Sequence, residues 1–321
     1  MNVLSLDERV RVVSALAEGT SLRATARLTD VGRQAVTNLL LTVGEGCRCL
    51  LDERMRDLHC DVLELDEIWC FIGKKEGHLR DGDPAEYGDA YTWVALDART
   101  KLVPVHLVGK RSSEAGHAFA RELRGRVLGA PQITTDGLKI YVEAIEAAFG
   151  SRVNFAQIMK TYAKDSADGA SRDDVRYSRG RVTRSVKRVV IGAPDEDKIS
   201  TSYVERSNLT TRMQMRRFTR LTNAYSKRLE HLQAAAALHF TAYNFTRVHM
   251  TLRVTPAMEA GLTDHVWSME ELITEALAAS DAPPPPPLPP PRPTGGTFGR
   301  RPSRAAPLPG QLSLPGTGAS P

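Results

Sequence analysis

The sequence has few cysteines and no long apolar run. Its four cysteines form neither a Cys-x2-Cys pair nor a pattern with a His-x3-His partner, so the ligand spacing of a structural zinc site is absent. No uninterrupted apolar stretch approaches the ~18 residues that a transmembrane helix needs. Residues Met1 to Ala15 lack the charged-then-apolar order of a signal peptide. We therefore expect a cytoplasmic protein with reduced thiols and no membrane partner.

The sequence also lacks a large net charge. With 41% hydrophobic and 25% charged residues and a net charge of +5 over 321 residues, it has the composition of a soluble globular protein long enough for two domains. The charge is unevenly distributed, because Arg176 to Arg188 has six basic residues and no acid. Such a run suits a nucleic-acid backbone, with Arg179, Arg181 and Arg184 as candidate phosphate contacts. A solvated basic loop is the alternative.

Prolines are scarce before residue 283 and abundant after it. Five of the nineteen prolines lie before this point, and fourteen lie in residues 283–321. Such a segment has almost no large apolar side chains with which to form a core. We expect residues 281–321 to be a proline-rich disordered tail.

The first 46 residues have the pattern of a helix-turn-helix domain. Leu6, Val10, Val13 and Leu16 recur at helical spacing, and Gly19 ends that helix. Ser21 can cap a second helix, and a third follows Gly32, over residues 33–43, with Val36, Leu39 and Leu40 facing inward. The outward residues near its start can contact DNA bases: Arg33, Gln34, Thr37 and Asn38. A helical bundle that serves only for dimerisation is the alternative, and residues 47–60 are predicted to be a linker.

From residue 61 onward, the periodicity changes to that of strands. Strands are predicted at 62–71, 91–96 and 102–108, with a tight turn at 97–101. A helix at 113–127, a short strand at 133–135 and a helix at 138–149 follow. Three strands in a meander, then helix, strand and helix, are the order of a ribonuclease-H-like α/β core, which we predict for residues 61–275. In that architecture the first and fourth strands are neighbours.

Three acidic residues stand out in these elements. Asp66 lies in the first strand, Asp136 ends the fourth, and Glu205 lies in a predicted helix. Three carboxylates brought together would form an oxygen-rich site for a hard divalent cation. Each also has an ordinary explanation: Asp136 can begin a turn with Gly137, and Glu205 can be a surface residue.

Two glutamates flank Asp66 in the first strand. Glu67 is expected on the opposite face of the strand, so that only one of Asp66 and Glu67 enters the site. Glu64 shares the face of Asp66 and can be a salt-bridge partner. Trp69 and Trp93 are expected to fill the core, as are His239, Phe240, Tyr243 and Phe245 in a predicted helix at 226–247.

Four ordered blocks of this sequence resemble the DDE transposases of the insertion-sequence-one family. They are LELDEIWCFIGKK, QITTDGLKIY, SYVERSNLTTRMQMRRFTRLTNAYSK and YNFTRVHMTLRVTPAMEAGLTDHVWS, and the resemblance covers about residues 62–272. Members of that family often carry a cysteine zinc finger before the helix-turn-helix, and this sequence has none.

The resemblance implies roles for particular residues. Asp66, Asp136 and Glu205 would be the ligands of two Mg²⁺ ions, with Mn²⁺ as a substitute, and Arg212 would contact DNA beside the scissile phosphate. Asn208 and Arg216 are predicted on the same helical stripe as Glu205 and Arg212, with Arg217 next to them as a further DNA contact. The expected partners are double-stranded DNA, as element ends and target, and further copies of the chain, at least as a dimer.

The implied reaction is hydrolysis at the end of a mobile element, after which the released 3′ hydroxyl attacks target DNA. Three alternatives are open. A nuclease of the same fold would cleave without strand transfer. A regulator would need only the helix-turn-helix. A domesticated, inactive relative would keep the fold, but the intact acids of this sequence argue against it.

The basic segment gives a testable prediction. Replacing Arg179, Arg181 and Arg184 by Ala should make the salt dependence of duplex DNA binding shallower, by about 0.9 in the log–log slope for each phosphate that is no longer neutralised. Affinities measured over a range of salt concentrations test this. Replacing Arg300, Arg301 and Arg304 in the tail removes the same charge and is the control. An unchanged slope in the first variant would identify the segment as a solvated loop.

Overall fold

The computed structural model describes residues 3–162, 182–219 and 222–282. It begins with three helices, α1 (Leu6–Ala17), α2 (Leu22–Thr29) and α3 (Arg33–Arg54). Ser5 and Glu8 form a capping box at the start of α1, and the Ser21 side chain caps α2. The predicted order of three helices is therefore confirmed.

The third helix is longer than predicted. It has 22 residues, so residues 47–54 of the predicted linker are its last two turns. Val36, Leu39 and Leu40 face inward as predicted, and the buried face continues through Cys47, Leu50 and Leu51. The predicted end at Val43 is too early because the glycines that follow it do not stop the helix. The assignment of residues 1–46 as a separate domain stays a prediction.

Those glycines let α3 pack closely against two helices from the end of the chain. These are α7 (Leu229–Phe245) and α9 (Met269–Asp281), with the short α8 (Pro256–Glu259) between them. A Cβ added at Gly44 would lie 2.6 Å from Ala234 Cα, and one at Gly46 would lie 2.3 Å from the Ala276 carbonyl oxygen. The N-terminal helices therefore share one hydrophobic core with α7 and α9. Helix α9 was not predicted from the sequence.

A sheet with six strands in the described residues forms the centre of the fold. The strands are β1 (Val62–Ile72), β2 (Gly88–Asp97), β3 (Val105–Gly109), β4 (Gln132–Asp136), β5 (Asn154–Tyr162) and β6 (Val182–Ile191). Their order is β3-β2-β1-β4-β5-β6. β1 and β4 are parallel, as are β4 and β5, and the other three pairs are antiparallel. The predicted meander is confirmed, and β4 is the neighbour of β1.

Helices cover both faces of this sheet. On one face, Trp93 of β2 contacts Phe119 of α4 (Ser113–Arg126) and Tyr141 of α5 (Ile140–Phe149). On the other face, the buried side chains of β1 and β2 pack with α7 and with Val204 of α6 (Ser202–Gln214). The mixed α/β class is therefore confirmed.

Several details of the sheet differ from the predictions. The turn at 97–101 is present, with the Lys101 amide bonded to the Asp97 carbonyl, but β3 begins only at Val105. Val103 instead makes two 3.0 Å hydrogen bonds with the buried side-chain amide of Asn244. Neither β5 nor β6 was predicted from the sequence. β6 is an edge strand with mostly exposed side chains, Val182 and Val189 among them, so it has no buried face to produce an apolar alternation.

Residues 283–321, nearly all of the predicted tail, lie outside the described residues. Within the part of the chain that is described, no helix combines the length and the hydropathy needed to cross a membrane.

The close contact at Gly44 gives a prediction for stability. Gly44→Ala should lower the free energy of unfolding by about 1 kcal/mol, because overpacking costs about 1–3 kcal/mol and outweighs the ~1 kcal/mol that Ala gains over Gly in a helix. The added methyl group would contact backbone atoms of Ala234, and a backbone cannot rotate away as a side chain can. Gly77→Ala, where nothing lies within 4 Å, is the control in chemical denaturation. A Gly44→Ala variant at least as stable as wild type would contradict this account of the packing.

Candidate functional site

The site forms where β4 ends beside β1. The parallel pairing runs from Val62–Gln132 to Leu65–Thr135, and β4 stops at Asp136 while β1 continues to Ile72. Beyond Leu65, β2 pairs with one edge of β1, whereas among the described residues the other edge has only a bridge from Ile72 to Ser226. Side chains from both faces of β1 can approach Asp136 around this open edge.

Three carboxylates converge at this point. Oxygens of Asp66, Glu67 and Asp136 lie within 4.8 Å of one another. Asp66 and Glu67 do have different partners on the two sides of β1, Asn208 and Arg111 respectively. The two carboxylates nevertheless approach each other where β4 ends, although only Asp66 lines the cavity that Asp136 and Glu205 share. That only one of the two acts in the site stays a prediction.

Asp66 is held from the α6 side. Asn208 Nδ2 donates a 2.8 Å hydrogen bond to its Oδ2. Burial raises the pKa of Asp66 to about 6, and the negative charges of Asp136 and Glu205 add to the rise, while the Asn208 hydrogen bond opposes it. Asn208 was expected to face DNA, but its side chain is buried against Asp66. Its position suits orientation of this carboxylate.

Glu67 is held from the other side by Arg111. The guanidinium Nη2 lies 3.1 Å from Glu67 Oε2 and 4.0 Å from Asp136 Oδ2. The Glu67 side chain is only 3% exposed, and burial raises its pKa to about 7 despite the nearby Tyr141 hydroxyl and Arg111. Its other oxygen, Oε1, is buried, and no donor among the described residues meets it in hydrogen-bonding geometry.

This arrangement fits a hard divalent cation. All the converging atoms are carboxylate oxygens, which Mg²⁺ and Mn²⁺ prefer. Burial disfavours the charged forms of Asp66 and Glu67, and the negative charges of the neighbouring carboxylates add to this effect. A cation would offset both effects and would give the buried Glu67 oxygen a partner. Asp66, Glu67 and Asp136 are the residues placed to hold it.

Glu205 lies on α6 at the same cleft but outside this cluster. Its carboxylate accepts a hydrogen bond from Thr201 Oγ1 at 2.8 Å and forms an ion pair with Lys160 of β5. Together with Asp66 and Asp136 it lines a cavity of about 390 Å³. The remaining lining residues are Arg111, Gly137, Leu138, Ile158, Met159, Lys160, Tyr162 and Thr201.

A buried carboxylate on β1 positions this helix. Glu64 Oε2 accepts the amide hydrogens of Tyr203 and Val204 at 2.8 and 2.9 Å, in the first turn of α6. Thr201, which precedes α6, makes no side-chain capping bond, so Glu64 supplies the acceptor that a helix N-terminus needs. Glu64 therefore fixes α6, and with it Glu205, against the sheet. It is a helix cap and not the salt-bridge partner considered from the sequence.

The three arginines after Glu205 that were predicted to contact DNA are in different environments. Arg212 lies on α6, and its Nη1 is 3.4 Å from the carbonyl oxygen of Trp69 on the open edge of β1. The helix ends at Gln214, so Arg216 lies in a separate turn and does not share the stripe of Glu205. Arg217 is partly buried and donates to Ser226 Oγ at 2.9 Å.

The other predicted DNA contacts lie on the first helices and on β6. Arg33, Gln34 and Asn38 are exposed on α3 as predicted, and Gln34 donates a 2.8 Å hydrogen bond to Asn38. The Thr37 hydroxyl instead bonds to the Arg33 carbonyl. Arg184 is exposed on the edge strand β6, whereas Arg179 and Arg181 lie outside the described residues. Contact with DNA stays a prediction for all of these.

Arg111, Lys160 and the participation of Glu67 were not predicted from the sequence. Arg111 and Lys160 follow no motif, because their proximity to the acids depends on how β3 and β5 are placed in the sheet. Predictions for the core were better: His239, Phe240, Phe245 and Trp93 are buried, and Tyr243 is partly buried. Trp69 is only partly buried, so its assignment to the core is wrong.

No family model and no curated protein match this chain. Among solved structures, a piggyBac transposase synaptic complex with hairpin DNA matches with 11% identity over 85% of this chain and 70% of that chain, at a TM-score of 0.36. A Mos1 transposase paired-end complex matches with 17% identity over 46% of this chain and 58% of that chain, at a TM-score of 0.18. TM-scores of this size do not establish a shared fold.

The position of Arg111 gives a prediction for metal binding. Arg111→Met should strengthen Mn²⁺ binding about tenfold, since it removes a positive charge that competes with the cation for Glu67 and Asp136; solvent at the partly exposed guanidinium keeps the gain modest. Calorimetric titration and the Mn²⁺-dependent rise in unfolding temperature measure it. Lys110→Met is the control, because Lys110 contacts Glu76 instead. Weaker Mn²⁺ binding by Arg111→Met would contradict the arrangement.

Proposed function

We propose that this chain is a DDE-type transposase that cleaves and transfers DNA strands at the ends of a mobile insertion element. The observation that supports the proposal is a single cavity that Asp66, Asp136 and Glu205 line from two adjacent strands and one helix. This is the triad that the resemblance to the insertion-sequence-one family implies, and the three residues are 139 positions apart in the sequence at most.

The fold supports the same proposal. The first five strands have the order β3-β2-β1-β4-β5, with an antiparallel meander followed by two parallel strands, as expected of a ribonuclease-H-like core. β6 extends this sheet at its edge. Asp136 ends β4 at the carboxyl ends of the parallel strands, where open α/β sheets usually bind ligands.

The residues of the site can be given roles in phosphodiester chemistry. Asp66 and Asp136 would hold the metal, with Glu205 as the third ligand after release from Lys160. Two Mg²⁺ or Mn²⁺ ions, when bound, supply Lewis acidity toward the oxygens of the scissile phosphate. Asn208 holds Asp66 in one orientation, and Arg212 is placed at the open edge of β1, where a DNA backbone can meet it.

Other residues would bind the DNA outside the acidic cleft. On α3, Arg33, Gln34 and Asn38 are exposed at the start of the helix and suit base contacts at the element ends. Arg184 on β6 suits a phosphate contact, as do Arg179 and Arg181. Because two ends must be joined together, the active form is proposed to be at least a dimer.

One experiment separates this proposal from its alternatives. Purified protein is incubated with a labelled element end, a target plasmid and Mg²⁺. Joined end–plasmid products support a transposase. Cleaved ends without joined products would instead support a nuclease of the same fold, and binding without cleavage would support a helix-turn-helix regulator or an inactive relative.

The role of Glu205 can be tested separately. Glu205→Gln keeps the shape of the side chain but removes the charge that a hard cation requires, so cleavage should fall by several orders of magnitude while folding and DNA binding persist. Cleavage in Mg²⁺ is the measurement. Glu146→Gln, an exposed glutamate on α5, is the control and should stay active.

Glu67 provides the competing assignment for the third ligand. If Glu205→Gln cleaved normally while Asp66→Asn and Glu67→Gln did not, the three ligands would be the clustered carboxylates Asp66, Glu67 and Asp136. Lys160→Met shows the effect of losing the ion pair with Glu205 and should retain cleavage.

A further inference from the structure

A strip of aromatic side chains leads away from the acidic cluster along β1. Alternate residues of a strand share one face, so Glu67 is followed on that face by Trp69 and Phe71, over about 13 Å. The Trp69 and Phe71 rings are 6.0 Å apart, and Tyr225 continues the strip 4.4 Å from Phe71. All three rings are partly exposed.

The backbone fixes Tyr225 in this position. The next residue, Ser226, is paired with Ile72 at the end of β1, and its carbonyl accepts the Gly73 amide at 2.9 Å. Tyr225 therefore extends the aromatic face of β1 although it is more than 150 positions away in the sequence. The bridge at Ser226 therefore attaches the segment that carries Tyr225 to the end of β1.

Cations flank the strip on both sides. Lys75 lies 5.8 Å from the centre of the Phe71 ring, and Lys227 lies 3.7 Å from that of Tyr225. At the acidic end, Arg111 lies 5.5 Å from the ring of Tyr91, which is the β2 partner of Trp69. Aromatic faces with alternating positive charge suit a polymer that carries both flat rings and negative charges.

The far end of the strip opens into a cavity of about 640 Å³, which Tyr225 and Lys227 also line. Arg23, Arg216 and Arg217 contribute three more positive charges, and no aspartate or glutamate is among the described residues that line it. Arg217 is partly buried, and its one described hydrogen bond is to Ser226 Oγ. Burial lowers the pKa of this guanidinium to about 10, so an anion in the cavity would relieve its desolvation.

We propose that the aromatic strip and the cationic cavity together bind a single-stranded stretch of nucleic acid that leaves the acidic cleft. Bases would stack on Trp69, Phe71 and Tyr225, and the cations of the cavity would hold phosphates. This is the combination by which proteins bind single strands without sequence preference. Bases in an intact duplex are stacked on each other and cannot reach the rings. The proposal rests on the proposed function only in taking the polymer to be DNA.

Intrinsic fluorescence of the full chain in EDTA tests the strip directly. Trp93 and Trp267 are buried, which leaves Trp69 as the partly exposed tryptophan of the three. An oligothymidylate of twelve nucleotides should quench the fluorescence, and a duplex of equal length should not. Trp69→Phe should abolish the quenching. Quenching that persists in Trp69→Phe, or that the duplex produces equally, would overturn the proposal.

Affinity measurements test the other parts. Phe71→Leu and Tyr225→Leu should each weaken oligothymidylate binding about tenfold or more, whereas Tyr203→Leu, an exposed tyrosine of α6, should not. Arg217→Met with Lys227→Met should make the salt dependence shallower by about 0.7 for each phosphate that is no longer neutralised. Circular dichroism confirms the fold of each variant. Unchanged affinity in Phe71→Leu and Tyr225→Leu would exclude stacking.

These outcomes are separable from those of the proposed function. Asp66→Asn should bind the oligonucleotide as wild type does, because EDTA removes any role for metal. Oligonucleotide binding without DNA cleavage by the wild-type chain would leave the strand-binding strip standing and refute the transposase. Cleavage with no quenching and no effect of the strip variants would do the reverse.

Discussion

The site depends on the burial of like charges where β4 ends. Asp66, Glu67 and Asp136 bring carboxylate oxygens within 4.8 Å of one another, in a place where burial already disfavours the charged forms of Asp66 and Glu67. Like charges at this distance in a partly dehydrated site need compensation. Arg111 provides part of it, and a divalent cation would provide more. The surrounding structure serves to keep these groups together against their repulsion.

Backbone register produces this convergence. The parallel pairing of Leu65 with Thr135 places Asp136 level with Asp66, and the end of β4 lets Glu67 approach from the other face. Glu64, two residues before Asp66, is not part of the acidic cluster and instead caps the N-terminus of α6. A single strand therefore supplies a helix anchor and two members of the acidic cluster. Glu205 depends on that anchor for its place across the cleft.

The N-terminal helices are tied to the same framework. α3 fits between α7 and α9 because Gly44 and Gly46 leave no side chain at the points of closest approach. The exposed start of α3, which carries Arg33, Gln34 and Asn38, thus belongs to a helix whose other end lies in the common core. β6, the last strand in the order of the sheet, has exposed basic side chains. Such charges also protect an edge strand from pairing with another chain.

The sequence by itself determined the elements with a strong local signal. The apolar alternation of β1 and β2, the helical spacing around Val36 and Leu39, and the serine caps all depend on near neighbours, so they could be read along the chain. The blocks around Asp66, Asp136 and Glu205 made these three acids candidates through their resemblance to a known family. Only the tertiary structure decided that Glu67 joins them, that Asn208 faces Asp66, and that Lys160 and Arg111 hold the acids. These contacts join residues on different elements, and strand register and the end of β4 fix their distances, which no local pattern encodes.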